Sequence, residues 1–182
     1  MTGRFIAVVG PSGVGKDSVM AGLKTAEPAL FLARRVITRP AEAGGEDFDG
    51  INVAEFEAMQ ADGMFALSWA AHGLHYGIPL AVDEALAQGR DVLANLSRGV
   101  LGQAKLRFAR FDCLELVADP GVLAARLRAR GREDDAEIEA RLARADHALP
   151  DGITAQQIDN SGSLDQAVAQ ARAWLYPDRA AR

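Results

Sequence analysis

Cysteine is nearly missing from the 182 residues, with Cys113 standing alone. A lone thiol cannot close an internal disulfide, an arrangement that fits a reducing cytoplasm. Cys113 lies in the apolar run "DCLELV" and reads as a small core residue. No apolar stretch approaches the roughly 20 residues of a membrane span, and no basic region followed by a long apolar run opens the chain. These absences predict a cytoplasmic protein with no membrane partner. An excess of positive charge is absent as well. The formal net charge of −5 excludes a general nucleic-acid binder. Lysine is confined to Lys16, Lys24 and Lys105, while arginine and alanine are abundant. A local cluster of arginines therefore says more than their total. The oligomeric state stays open at this level.

What is present is ordinary in bulk and specific in detail. Hydrophobic residues make up 49% and charged ones 25%, the balance of a soluble globular protein large enough to bury a core in one domain, 1–182. Apolar runs "RFIAVV", "RRVIT", "FALSWA", "DVLANL", "DCLELV" and "TAQQID" predict strands. Helical patterns fall at 16–25, 53–62, 79–88, 99–108, 119–130, 135–148 and 163–176. Asn52 and Ser163 are expected N-caps, and Asp119 followed by Pro120 is a cap with proline at the first helical position. The polar, glycine-rich segment 39–50 reads as a loop or small insertion, and the tail from Pro177 as frayed. Alternation of this kind predicts an α/β fold, a parallel sheet covered by helices, with ligands bound at the carboxyl ends of its strands.

The most specific stretch is "GPSGVGKDS", from Gly10 through Pro11, Ser12, Gly13, Val14, Gly15, Lys16 and Asp17 to Ser18. It matches G-x-x-x-x-G-K, between a strand and a helix as the motif requires. Its glycines let backbone N–H groups turn inward on a phosphate, the helix aims its positive end at the same anion, and Lys16 reaches the β- and γ-phosphates of a nucleotide. The motif usually continues with a hydroxyl that binds Mg²⁺; here Asp17 follows. Two unit charges about 4 Å apart interact by about 4 kcal/mol at an effective dielectric near 20. An uncompensated carboxylate would therefore oppose a triphosphate. A divalent cation between them removes the conflict. We assign Asp17 to Mg²⁺, directly or through its water, and Ser18 to the α-phosphate side. The alternative is that Asp17 serves only the helix start.

A second concentration of charge is "RLRARGREDDAEIEARLAR", with Arg126, Arg128, Arg130, Arg132, Arg141 and Arg144 around Gly131. Arg126 and Arg130 share a helix face. Planar guanidinium donors suit the oxygens of a phosphoryl group in transfer, and a mobile arginine lid would also exclude water. For Arg128 and Arg144 a solvated helix face is an equal reading.

Taken in order, "GPSGVGKDS", "VITRP", "FALSWAAHGLHYGIP", the arginine-rich pair of helical segments and "DNSGSL" resemble the guanylate-kinase-like P-loop kinases over nearly the whole chain. Within that group the chain is most similar to the branch that acts on ribose 1,5-bisphosphate, which also carries "GKDS". The resemblance implies ATP as donor, Mg²⁺ as cofactor, a phosphate loop at 10–18, an acceptor-binding insertion at about 35–80 and a helical lid at about 126–144. It implies transfer of the γ-phosphoryl to the 1-phosphate of the sugar, giving 5-phospho-α-D-ribose 1-diphosphate, in bacterial phosphonate degradation. Lys16, Arg126, Arg130, Arg132 and Arg141 would be catalytic.

Departures from guanylate kinase favour the sugar. Glu42 stands near the second arginine of the T-T-R-x-P-R segment; Ser68 replaces the glutamate that reads guanine; Ile78 replaces a base-contacting hydroxyl; "ANLSRG" replaces D-x-D. Losing three polar contacts of about 1 kcal/mol or more each makes guanine a poor acceptor. Arg39 would hold an acceptor phosphate, with Arg35, Tyr76, Asn95, Ser97 and Arg98 as further substrate contacts, each also explicable as packing or turn chemistry. His72 and His75 are not needed as bases, because a phosphate acceptor is already an anion. A kinase for GMP or dGMP remains the rival enzyme. A non-catalytic guanylate-kinase-like interaction module is the rival of another class, and the retained Lys16 and lid arginines argue against it.

Overall fold

The computed structural model describes residues 2–40, 47–131, 138–139 and 148–180. Strand β1, Phe5–Val9, has all five side chains fully buried. A continuous apolar run of this kind forms a strand covered on both faces. Helix α1 follows at Lys16–Ala26, then short strands β2 (Phe31–Leu32), β3 (Arg35–Ile37) and β4 (Phe48–Gly50). Helix α2 (Val53–Ala61) precedes β5 (Phe65–Ala71) and β6 (Leu74–Pro79). Next come α3 (Ala81–Ala87), β7 (Val92–Asn95), a single 3-10 turn at Arg98–Val100 and α4 (Leu101–Arg107). The chain continues through β8 (Phe111–Val117), α5 (Pro120–Arg130), β9 (Gln156–Asp159), α6 (Leu164–Leu175) and α7 (Pro177–Ala180).

One sheet has the order β2-β7-β1-β8-β9, with β2 parallel to β7 and β8 parallel to β9. This is an α/β fold with a central parallel sheet. A second sheet runs β4-β3-β6-β5, and in it β6 is antiparallel to both β3 and β5. The chain divides into two compact units, residues 1–7 with 29–112 and residues 8–28 with 113–182.

The expected caps are present. Asn52 and Ser163 each form a reciprocal capping box, with Glu55 and Gln166. Asp119 accepts from the Gly121 N–H at 2.7 Å, with Pro120 at the first helical position. Two expected strands, "RRVIT" and "FALSWA", belong to the second sheet rather than to the parallel one. Their partner β6, which the sequence pattern did not single out, arises from a hairpin. His72 (φ 53°) and Gly73 (φ 74°) take the paired left-handed conformation that matches strand twist in a two-residue turn. That turn sets Trp69 opposite Tyr76 and Ala71 opposite Leu74. Part of the expected loop 39–50 is strand β4, paired in parallel with β3. The expected helix 135–148 lies outside the described residues except Ile138 and Glu139, which are helical, and Ala148, which is not; Ile138 is buried with Ala124 and Leu127 of α5. Among the described residues no helix is long and apolar enough to cross a membrane.

Candidate active site

The unit built on residues 8–28 and 113–182 contains the glycine loop. Gly10, leaving β1, has φ 151°, and a Cβ there would lie 2.6 Å from the Leu116 carbonyl oxygen. Only glycine lets the loop run this close to the end of β8. Gly15 (φ 91°) is the N-cap of α1 and, having no side chain, makes no side-chain capping bond of its own to the helix. This leaves the positive end of an 11-residue helix at the loop. Lys16 Nζ donates to the carbonyls of Gly10 at 2.9 Å and Pro11 at 3.2 Å, which folds the ammonium back across the loop.

Asp17 and Ser18 lie in the first turn of α1, and both are exposed. Because Gly15 is the N-cap, Asp17 does not fill the capping position. Among the described residues no three carboxylate, histidine or cysteine side chains come together as a metal cage. Magnesium seldom needs one, since it keeps waters and is held by one or two carboxylates together with substrate phosphates. The exposed carboxylate of Asp17 beside the loop fits that mode.

The arginines are partly described. Arg126, on α5, points its guanidinium at the Val14 carbonyl from 3.4 Å. Arg130 is the last residue of α5, before Gly131 takes the left-handed conformation (φ 66°) that ends the helix. Arg132 and Arg141, like Glu42, lie outside the described residues.

Sequence reasoning placed little weight on the loop after β9, yet it ties several elements together. The Ser161 hydroxyl donates to Asp159 at 2.6 Å and accepts the Asp119 N–H at 2.8 Å, joining the end of β9 to the start of α5. That hydroxyl first, and the Ser161 N–H second, hold the Asp159 carboxyl below the usual aspartate range. Asn160, almost fully buried, donates from its side chain to the Val14 carbonyl at 2.7 Å.

The unit built on residues 1–7 and 29–112 contains the six expected acceptor residues. Four of them are joined through a fifth that the sequence reading did not assign. Arg35 is only 8% exposed; its Nη1 donates to the Asn95 carbonyl at 3.3 Å, and its guanidinium sits 5.3 Å from the Tyr76 ring centre. Tyr76 stacks on Trp69, with 5.3 Å between centroids and 9° between planes. Trp69 Nε1 donates to Ser97 Oγ at 2.9 Å. The route Asn95–Arg35–Tyr76–Trp69–Ser97 crosses from β7 to the second sheet and back. Cross-strand pairing of Trp69 with Tyr76 would have been visible only to a reader who had already placed β6. Arg98 opens the 3-10 turn directly after Ser97, and Arg39 lays its guanidinium 4.3 Å from the Phe48 ring centre. His75 packs on Phe56 and gives its backbone N–H to the Thr38 hydroxyl. Ile78, expected from the resemblance to stand where guanylate kinases have a base-contacting hydroxyl, is fully buried. Ser68, expected in place of their guanine-reading glutamate, accepts a hydrogen bond from Gln60 at 3.1 Å.

A glycine loop with its lysine, set between the first strand of a parallel sheet and the helix that follows, defines a P-loop kinase fold. The solved structures agree: guanylate kinase from Anaplasma phagocytophilum superposes with a TM-score of 0.68 at 17% identity, covering 97% of this chain and 86% of that one. A gluconokinase from Sinorhizobium meliloti 1021 gives 0.58 at 18% identity, covering 97% and 93%. The chain belongs to the ribose 1,5-bisphosphate phosphokinase family. It is 53% identical to ribose 1,5-bisphosphate phosphokinase PhnN of Ruegeria sp. (strain TM1040), over 98% of this chain and 94% of that protein. It is 50% identical to the protein of the same name from Pseudomonas paraeruginosa, over 99% of each chain. No family model matches the chain.

Proposed function

We propose that this protein, as one kinase domain, transfers the γ-phosphoryl group of ATP to ribose 1,5-bisphosphate, giving 5-phospho-α-D-ribose 1-diphosphate in phosphonate degradation. The observation that carries the reading is the hydrogen-bonding set around Arg35, in a chain of this family whose Ile78 is buried where guanylate kinases read a base. The same residues make GMP a weak acceptor, because Ile78 has no exposed surface and no hydroxyl to offer.

In the proposed mechanism the loop from Gly10 to Gly15 surrounds the β-phosphate with the backbone N–H groups of Gly10, Ser12, Gly13, Val14 and Gly15, while Pro11, which has no N–H, only shapes the turn. Lys16 exchanges its loop carbonyls for β- and γ-oxygens. Asp17 would hold Mg²⁺ directly or through water, and Ser18 would lie toward the α-phosphate. A Mg²⁺ ion held there would supply positive charge against the phosphates of the nucleotide. Arg126 leaves the Val14 carbonyl for the moving group, joined by Arg130, Arg132 and Arg141, whose fixed positive charge stabilises it. Arg39 orients the acceptor phosphate, while Arg35, Tyr76, Asn95, Ser97 and Arg98 bind the sugar and its second phosphate. No proton need leave the attacking phosphate oxygen, so the residues' task is alignment and charge.

The test is an ADP-release assay with ATP and Mg²⁺, offered ribose 1,5-bisphosphate and GMP separately. Turnover is expected with the sugar bisphosphate. Turnover with GMP alone would remove the reading, and binding of ATP without turnover on either acceptor would favour a non-catalytic module.

A further inference from the structure

Asn160 is assigned to neither donor nor acceptor, although it is among the most buried polar side chains, 3% exposed. Its backbone N–H donates to the Val117 carbonyl at 2.8 Å, which fastens it to the last residue of β8. From there its side-chain Nδ2 donates to the Val14 carbonyl at 2.7 Å. The bond is short and buried, and both partners belong to the unit that carries the glycine loop.

The consequence follows from peptide geometry. The Val14–Gly15 peptide is planar and trans, so its C=O and N–H point in opposite directions. Fixing the Val14 carbonyl on Asn160 therefore fixes the Gly15 N–H away from Asn160. The contact is also tight sterically. A Cβ on Gly15 would lie 2.8 Å from Asn160 Nδ2, so the amide of Asn160 packs directly against this peptide. Arg126 approaches the same carbonyl, but only to 3.4 Å, which makes Asn160 the principal donor. If Arg126 moves to a phosphate, the Val14 carbonyl keeps its partner and the loop its shape.

The amide orientation is set by the same contact. Turning the side chain over would oppose the Asn160 Oδ1 to the Val14 carbonyl oxygen. In the orientation observed, Oδ1 is buried with no hydrogen-bond partner among the described residues. A buried polar atom left unsatisfied is unusual and costly. The fold tolerates it in order to aim the donor.

We propose that Asn160 is a positioning residue for nucleotide binding: it locks the Val14–Gly15 peptide so that the Gly15 N–H is presented to the phosphates before ATP arrives. This rests on the reading of residues 10–18 as the ATP-binding loop. Asn160→Leu keeps the volume and removes the donor; Asn160→Asp keeps the shape and removes it too, and serves if the first variant does not fold. Calorimetric titration with ATP should show a Kd raised about 5- to 10-fold in Asn160→Leu. The KM for ribose 1,5-bisphosphate should stay within twofold of wild type. A lower melting temperature with unchanged ATP affinity would reduce Asn160 to a packing residue and overturn the proposal. Equal rises in the constants for ATP and acceptor would overturn it as well. A wild-type protein that binds ATP but phosphorylates a different acceptor would defeat the proposed substrate alone, and the effect of Asn160 on ATP affinity would still be read.

Discussion

Replacing Trp69 by phenylalanine separates two things that the indole does at once. The ring stacks on Tyr76, and the N–H donates to Ser97 Oγ at 2.9 Å. Phenylalanine preserves a six-membered aromatic ring over Tyr76 and deletes the donor along with the remainder of the five-membered ring. While Trp69 is present, Ser97 Oγ is used as an acceptor, so the Ser97 hydroxyl hydrogen is available to a further oxygen, such as one on an acceptor phosphate. Without the indole N–H that orientation is lost. A neutral hydrogen bond of this sort is worth about 1 kcal/mol net, equivalent to roughly a fivefold change in an equilibrium constant. Trp69→Phe should therefore raise the KM for ribose 1,5-bisphosphate about fivefold. The KM for ATP should not move, and unfolding stability should change by no more than about 1–1.5 kcal/mol, because Trp69 is only half-buried. Steady-state ADP release with each substrate varied in turn gives both constants, and a urea titration gives the stability. An unchanged KM for the sugar would remove Ser97 and Trp69 from the acceptor set. A rise in the KM for ATP instead would show that the residues around Arg35 do not serve the acceptor.

Further predictions concern the loop and its supports. Asp17→Asn should lower turnover most at limiting Mg²⁺ while leaving metal-free nucleotide binding nearly unchanged, and Asp17→Ser should recover part of the loss; equal activity at every Mg²⁺ concentration would reject metal ligation by Asp17. Gly10→Ala places a Cβ 2.6 Å from a backbone oxygen at φ 151°, so a stability loss of about 1–3 kcal/mol is expected by thermal unfolding. A loss below about 0.5 kcal/mol would show that the loop relaxes freely there. Asp159 should titrate below the ordinary aspartate range in carboxyl NMR, and Ser161→Ala should move it back up. Since the folded state lowers this pKa, its stabilising effect is present above the ordinary aspartate value and fades as pH falls through the lowered one.

Much of the nucleotide side was legible as sequence because its determinants are local. A glycine loop needs glycines at fixed intervals and a lysine one residue into a helix, and the capping boxes at Asn52 and Ser163 span four residues each. The α/β alternation was legible for the same reason, since a buried run such as Phe5–Val9 declares itself by composition. The second sheet was not. Strand β6 contains Gly77 and Pro79 and shows no clean alternation; it becomes a strand because the His72–Gly73 turn folds it onto β5.

By itself, then, the order of residues determined the phosphate loop, the helix starts and the chain's family, because each depends on near neighbours or on likeness along the whole chain. Tertiary structure decided what distant residues do together. It brought Asn160 onto the Val14 carbonyl from 146 positions away, and it linked Asn95, Arg35, Tyr76, Trp69 and Ser97. A hydrogen bond or a ring stack acts only within a few ångströms, and no local pattern records which far residues a fold will bring that close.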